Sequence, residues 1–439
     1  MSTTQPLASR PVMPVSHRSL PVWPTFSIAV LVVMAVIFPP GFMTGMNLVL
    51  LFLAGIAWVA SGEQFDRTLR RAIAPFILIV AIGLAGGIGA DRYLYLKDAW
   101  YVSNPAILLC AGYVFYRNKP DLARGLRAFV IGGTLLSLLH FGVLARNPEV
   151  LNLSAYKLRE AVGTGYYGIA LAFTILCAYF GRWRDGLKLP TWLASVLLGI
   201  CGLGVAASFS RTMVLIAGIG VISAAGFFAR REVRRLSAVA LLAVVGIATL
   251  NATLDLGSDE TRQSFLGKIA RSVEELTVDE YSDLRSINLN WRGYETARAV
   301  RTYLGGTPVQ LIAGQGFGAQ VDLGLFMPLS SSGGVRERIR FAPILHNGFA
   351  YLLVKAGPVA IVLFGYSMFG LYKVGRGGAG YAGAGTAKEA SRLMQAIAVS
   401  LVFATIFISG VFNRLDMFPY MLAAGFLLGA LSAPKLRVR

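Results

Sequence analysis

The chain reads as an all-α polytopic membrane protein with about twelve transmembrane helices and one large, partly helical loop on the outer face. Three observations point there. Only 14% of its 439 residues are charged and 55% are apolar, whereas an ordinary soluble domain is about 25% charged. Apolar stretches of roughly 20 residues, the length that crosses a bilayer as a helix, recur along the whole chain. The basic residues behind the net charge of +19 gather in alternate connections between those stretches.

The apolar stretches run over 24–39, 42–60, 73–89, 99–116, 127–145, 163–180, 190–208, 212–229, 236–254, 345–372, 393–412 and 417–433. The organisation is therefore a polar tail over 1–23, spans one to nine within 24–254, a polar loop over 255–344, spans ten to twelve within 345–433, and a basic tail over 434–439. No small-residue cleavage site follows the first apolar run, so it reads as a retained anchor and not as a signal peptide. Arg67, Arg70 and Arg71 occupy one connection. Arg117, Lys119, Arg124 and Arg127 occupy another, and Arg182, Arg184 and Lys188 a third. Arg230, Arg231, Arg234 and Arg235 follow, then Lys373, Arg376, Lys388 and Arg392. This is the positive-inside pattern, which puts both termini in the cytoplasm and accounts for the charge by topology, without a nucleic-acid partner. Cys110, Cys177 and Cys201 fall inside spans and read as small core residues, not as a disulfide frame or metal site.

The loop over 255–344 divides by charge. Residues 255–284 carry eight acids against Arg262, Lys268 and Arg271, while 285–344 carry seven arginines against Glu295, Asp322 and Glu337. The second half is a cationic surface beside the membrane, suited to an anionic substrate. In it, "NLNWRGYETARAVRTYL" (288–304) has the pattern of a short amphipathic helix, with Arg292 and Glu295 on one face. Gly314, Gly316 and Gly318 of "AGQGFGAQ" lack the strand-to-helix context of a phosphate cradle and read as a tight turn. "PLSSSGGVRERIR" (328–340) reads as loose, and "GRGGAGYAGAGTAKEA" (375–390) as a flexible inner connection.

Chemistry-bearing residues crowd at the outer face. His346 opens the tenth span, in "ILHNGFAYLLVKAGPVAIVLFGYSMFGLY" (344–372), where a neutral imidazole can be reached from water and from the headgroups and can take a proton near pH 7. Structurally, it could equally hydrogen-bond a loop carbonyl. His140 reads as a hydrogen-bonder within the bundle, and His17 as uninvolved. Arg211, flanked by Ser210 and Thr212, sits at an outer boundary against the positive-inside trend; it either binds phosphate through its planar fork or snorkels to lipid headgroups. Arg292 either binds an anion or pairs with Glu295. Lys355 lies nine residues beyond His346, about 13 Å along a regular helix. It must therefore face the bundle interior or a wet cavity, and Gly357-Pro358 just after it predicts a kink.

Two resemblances follow. "GEQFDRTLRR" (62–71) resembles the G-x-x-x-D-R-x-G-R-R loop of major facilitator transporters, with Leu69 in place of the second glycine; it implies a twelve-helix transporter. The other covers about 190–372 and rests on several motifs in order. Ser210-Arg211 opens a span that ends in the basic "ARREVRR". "NWRGYE" follows in the outer loop, then "TPVQLIAGQGFG", then His346-Asn347 with Gly357 eleven residues on. Together they resemble the O-antigen ligase and Wzy-type polysaccharide polymerase superfamily, which are membrane-embedded glycosyltransferases of the C type. The position nine after the histidine, often acidic in that family, is Lys355 here, and "KLREAVGTGYYG" before span six lacks the family's Pro-Asn.

That resemblance implies transfer of an undecaprenyl-diphosphate-linked glycan to a sugar hydroxyl at the periplasmic face of a bacterial inner membrane. The acceptor would be either lipid A-core (ligase) or a second lipid-linked glycan (polymerase). It implies inversion at the anomeric centre with no cofactor or metal, His346 as the base, and Arg211 and Arg292 on the diphosphate. Supporting roles fall to Glu295 (orienting Arg292), Asn347 (positioning the histidine or the acceptor), Ser210, Lys355, Arg338 and Arg340, the last two drawing lipid phosphate together with Arg336.

Overall fold

The computed structural model describes residues 28–34, 48–52, 55, 66–118, 120–146, 167–182, 186–208, 210–225, 287, 290–328, 338–378, 385–412 and 417–432. The helices are α1 Arg67–Gly86, α2 Arg92–Asn118, α3 Leu122–Arg146, α4 Tyr167–Arg182, α5 Thr191–Ala207 and α6 Arg211–Ala224. In the loop come α7 Trp291–Leu304, α8 Gln310–Ala313 and the strands β1 Val321–Pro328 and β2 Arg338–Ala342. The chain then returns to the bundle as α9 Gly348–Gly378, α10 Gly385–Phe407 and α11 Phe418–Ser432.

Among the described residues, four helices are long and apolar enough to cross a membrane: Arg67–Gly86, Leu122–Arg146, Gly348–Gly377 and Ala387–Phe407. Shorter apolar helices run over Tyr167–Phe180, Thr191–Ala207, Thr212–Ala224 and Phe418–Ser432. At 1.5 Å per residue these fall short of the roughly 30 Å hydrocarbon core. The expected number of about twelve spans is thus not reached. The stretch at 236–254 and most of those at 24–39 and 42–60 lie outside the described residues, as do the acidic half of the loop and Arg336.

The core is a helix-on-helix interior. Small residues let backbones approach: a Cβ on Gly112 would fall 2.1 Å from the Leu422 carbonyl oxygen, and one on Gly425 would fall 2.2 Å from that of Leu109, so α2 and α11 pack with their backbones nearly touching. Phe364 of α9 meets Phe76 of α1 and Phe412, just past α10, edge-on, and the latter two rings lie tilted to each other. Cys201 is buried and Cys110 and Cys177 are half-buried, all three as free thiols. His140 does act within the bundle: its Nε2 lies 2.9 Å from the Ala207 carbonyl and joins α3 to the end of α5.

Asp66 caps α1 by accepting the Thr68 N–H at 3.4 Å. That gives the aspartate of the transporter-like "GEQFDRTLRR" a local structural role. Three arginines in the first turns of α1 run against the helix dipole, as expected where topology and not local helix stability sets the sequence.

The all-α expectation needs one correction. β1 and β2 form an antiparallel two-stranded sheet, pairing Val321 with Ala342 and Asp322 with Phe341, then, past a bulge, Met327 with Ile339 and Pro328 with Arg338. The sequence hid it because Gly324 interrupts β1, Pro328 ends it, and the expected loose stretch covers the first three residues of β2. The amphipathic helix expected over 288–304 is α7, beginning at Trp291.

Candidate active site

His346 sits two residues before α9, and its position is fixed from below and from the side. Below it, Asn347 caps the helix, its Oδ1 accepting the Phe349 N–H at 2.9 Å and the Ala350 N–H at 3.2 Å. Asn347 thus positions the histidine through the backbone. From the side comes Glu295, one turn into α7 and only 3% exposed. Its Oε2 accepts the His346 backbone N–H at 2.6 Å, and its two oxygens lie 3.3 and 3.2 Å from His346 Nδ1.

A carboxylate can only accept, so Nδ1 carries the proton and the lone pair of the neutral ring stands on Nε2. The His346 side chain is 54% exposed against 3% for Glu295. The dyad therefore hides its acid and presents its imidazole. A buried carboxylate that orients an exposed imidazole is the arrangement that makes Nε2 an effective base.

Arg292 is half-buried, three residues before Glu295 on α7. Arg211 is the first residue of α6, whose N-cap is Ser210, with Oγ accepting the Met213 N–H at 3.4 Å. The Arg211 side chain lies outside the described residues. The end of the bundle it occupies follows from contacts: Ala207 meets His140, Gly204 meets Ile169, Gly168 meets Pro419 in the first turn of α11, and Ser409, just after α10, packs on Gly348. Arg211 and His346 therefore share one end of the bundle.

Other expected supports serve the scaffold. Lys355 is buried and donates to Asp98 Oδ2 at 2.5 Å and to the Ala319 carbonyl. Asp98 also accepts the Tyr351 hydroxyl at 2.8 Å and the Gly318 N–H at 2.7 Å. α2, α9 and the glycine loop are thereby tied at one buried point, nine residues along from His346. Arg340 forks onto Asp322, Nε to Oδ1 and Nη2 to Oδ2 both at 2.9 Å, and Arg298 Nε donates to the Asp322 carbonyl at 2.7 Å. This fork, helped by the Gly324 N–H, holds the Asp322 carboxyl down at about 2. Arg338 lies in β2, with its side chain outside the described residues.

The glycine loop carries backbone contacts. Gly314, Gly316 and Gly318 all have positive φ, and Gly316 lies so close to α1 that a Cβ would fall 2.0 Å from the Gly86 carbonyl carbon. The expected kink is present: Gly357, at φ 73°, leaves the helical conformation with the Ile312 carbonyl packed against it. Among the described residues, no three His, Cys, Asp or Glu side chains converge as metal ligands.

Sequence reasoning missed two things. Asp98 falls one residue before the expected start of the fourth span, at 99, and so was not singled out. Glu295 was matched to Arg292 by helical spacing, whereas its carboxylate is turned to a histidine 51 residues downstream. No protein-family model matches the chain, and no curated protein is similar enough to be matched to it.

Proposed function

We propose that the protein is a membrane glycosyltransferase of the O-antigen ligase or polysaccharide polymerase type. It moves an undecaprenyl-diphosphate-linked glycan to a sugar hydroxyl at the periplasmic face of a bacterial inner membrane. The observation that carries this reading is the Glu295–His346 dyad at the mouth of an apolar helix. A base so placed reaches a lipid-borne donor and a water-borne hydroxyl at once.

In the reaction, His346 Nε2 takes the acceptor hydroxyl proton while that oxygen bonds to the anomeric carbon. The bond from that carbon to the diphosphate oxygen breaks, and the diphosphate leaves with the electron pair. Attack opposite the leaving group inverts the anomeric centre. Guanidinium groups at Arg211 and Arg292 meet the charge that develops on the diphosphate. Glu295 keeps the proton on Nδ1 and stabilises the imidazolium once it forms. Cytoplasmic termini complete the reading.

The test is transfer by the purified protein from undecaprenyl-diphosphate glycan, offered lipopolysaccharide core or more lipid-linked repeat. Wild type should release undecaprenyl diphosphate with one of the two acceptors, and that acceptor decides ligase from polymerase. Folded His346→Ala should lose transfer by about 10²–10⁴-fold. Equal rates in wild type and variant would remove the base assignment, and no transfer with either acceptor would turn the reading toward a transporter.

A further inference from the structure

Three helices give the same ruler. Lys355 to Arg376 on α9, Asp98 to Asn118 on α2, and Arg67 to Gly86 on α1 each enclose about 20 residues, or about 30 Å, which is one hydrocarbon thickness. Their upper marks lie at one level. Lys355 and the Gly318 N–H share Asp98 Oδ2, and Phe317 N–H donates to the Gly83 carbonyl at 2.8 Å. Gln315 N–H donates to the Val354 carbonyl at 2.7 Å. A boundary through Gly86, Asp98 and Lys355 leaves the first turns of α9 outside the hydrocarbon.

α7 descends beside those turns. Glu295 stands opposite His346 at the top, and the Thr302 carbonyl takes the Gln315 side-chain amide at the bottom, level with Val354. The chain then reaches the boundary and passes it, because the Ile312 carbonyl packs against Gly357, two residues beyond Lys355. At this depth it shows apolar side chains outward: Leu304, Val309 and Ile312 are 64%, 72% and 64% exposed. Further along α9, Val362 is 69% exposed, as a side chain facing lipid would be. On α2 the same level carries Lys97 Nζ over the rings of Tyr93 and Tyr101, 5.8 Å from each, a cation and aromatics of the kind that mark a membrane–water boundary.

We infer that Leu304, Val309 and Ile312 are seated in the acyl chains of the lipid leaflet next to the loop, so that the α7–α8 segment is a membrane-inserted floor beneath the Glu295–His346 dyad. The occupant of the patch is bilayer lipid, since its depth matches that of the lipid-facing side of α9. His346 then stands about 13 Å above the hydrocarbon boundary, on the water side of a headgroup layer about 5–8 Å thick. This inference rests on the membrane reading and is independent of the chemistry proposed above.

The test is a nitroxide at Val309→Cys or Ile312→Cys in the full chain, with its three cysteines replaced by alanine, in phosphatidylethanolamine/phosphatidylglycerol vesicles. Collision with oxygen is compared with collision with a water-soluble nickel chelate. Val362→Cys is the lipid standard and Lys388→Cys the water standard. The oxygen-to-nickel ratio at 309 and 312 should approach that at 362 and exceed that at 388 several-fold. Ratios close to that at 388 would overturn the inference, as would poor collision with both reagents, the sign of a protein covering the patch. A water-like ratio at 362 would bring down the membrane reading itself. With the six native tryptophans replaced by phenylalanine, Ile312→Trp, quenched by brominated lipid but not by iodide, gives the same answer without a nitroxide.

Discussion

The exchange of one carboxylate oxygen for an amide at Glu295 separates orientation from burial. Burying a carboxylate is costly unless donors meet it, and here the His346 N–H and Nδ1–H do. Glu295→Gln keeps the volume and can still accept from the backbone, but its amide now donates towards Nδ1. That drives the ring proton to Nε2 and removes the lone pair which faces solvent. Transfer should fall by about 10²-fold or more with donor affinity nearly unchanged, as read from initial rates beside a binding isotherm. A fall in binding alone would mean that Glu295 serves Arg292 and not His346. At this scale the sequence showed His346 plainly, because a histidine at a span mouth is unusual in a chain with only three. It could not show Glu295 as the partner: helical spacing reports neighbours on one element, and this contact joins two.

Between elements, the ties are backbone proximity and one buried ion pair. Gly316→Ala combines a disfavoured φ with a Cβ against α1, so it should cost about 1–3 kcal/mol from the backbone alone and more from the clash. The protein in detergent should melt earlier, with transfer lost in step. Lys355→Met strands the Asp98 carboxylate among apolar helices, a change on the order of 3–5 kcal/mol. Adding Asp98→Asn should recover much of the melting temperature, since the uncompensated charge is then gone; no recovery in the double variant would mean that Lys355 acts through packing. The hairpin has a tie of its own at Asp322. With its folded carboxyl held at about 2, below the ordinary 3.8, the fork to Arg340 supports the strands at every pH above the ordinary value. That support fades as pH falls from about 4 to about 2. Amide exchange over 321–328 and 338–342, corrected for intrinsic rates, should lose protection in that window in wild type and show no such step in Asp322→Asn. The kink at Gly357 and the amphipathic α7 were legible because glycine-proline and helical periodicity are local signals. The hairpin was not, since a short strand with a glycine and a bulge carries no clean alternation.

For the whole molecule, the alternation of basic connections and the position of the candidate site make one joint statement. Arg211, Glu295 and His346 fall at the end of the bundle opposite the basic turns that hold Arg117, Lys188 and Lys388. Charge bias orients such a bundle, since basic connections resist translocation. The end that bears the dyad should therefore face away from the cytoplasm, where a diphosphate-linked donor could be met without competition from cytoplasmic nucleotides. Arg92→Cys lies exposed in the first turn of α2, on the dyad's side of Asp98, and Lys388→Cys lies exposed in the first turn of α10 at the other end. In intact spheroplasts a membrane-impermeant maleimide should label the first at once and the second only after permeabilisation. The reverse pattern would put the dyad in the cytoplasm and leave the donor chemistry without its substrate. Labelling of both positions would mean that the bundle inserts in two orientations, and that arginine counting had been overruled by the apolar segments themselves.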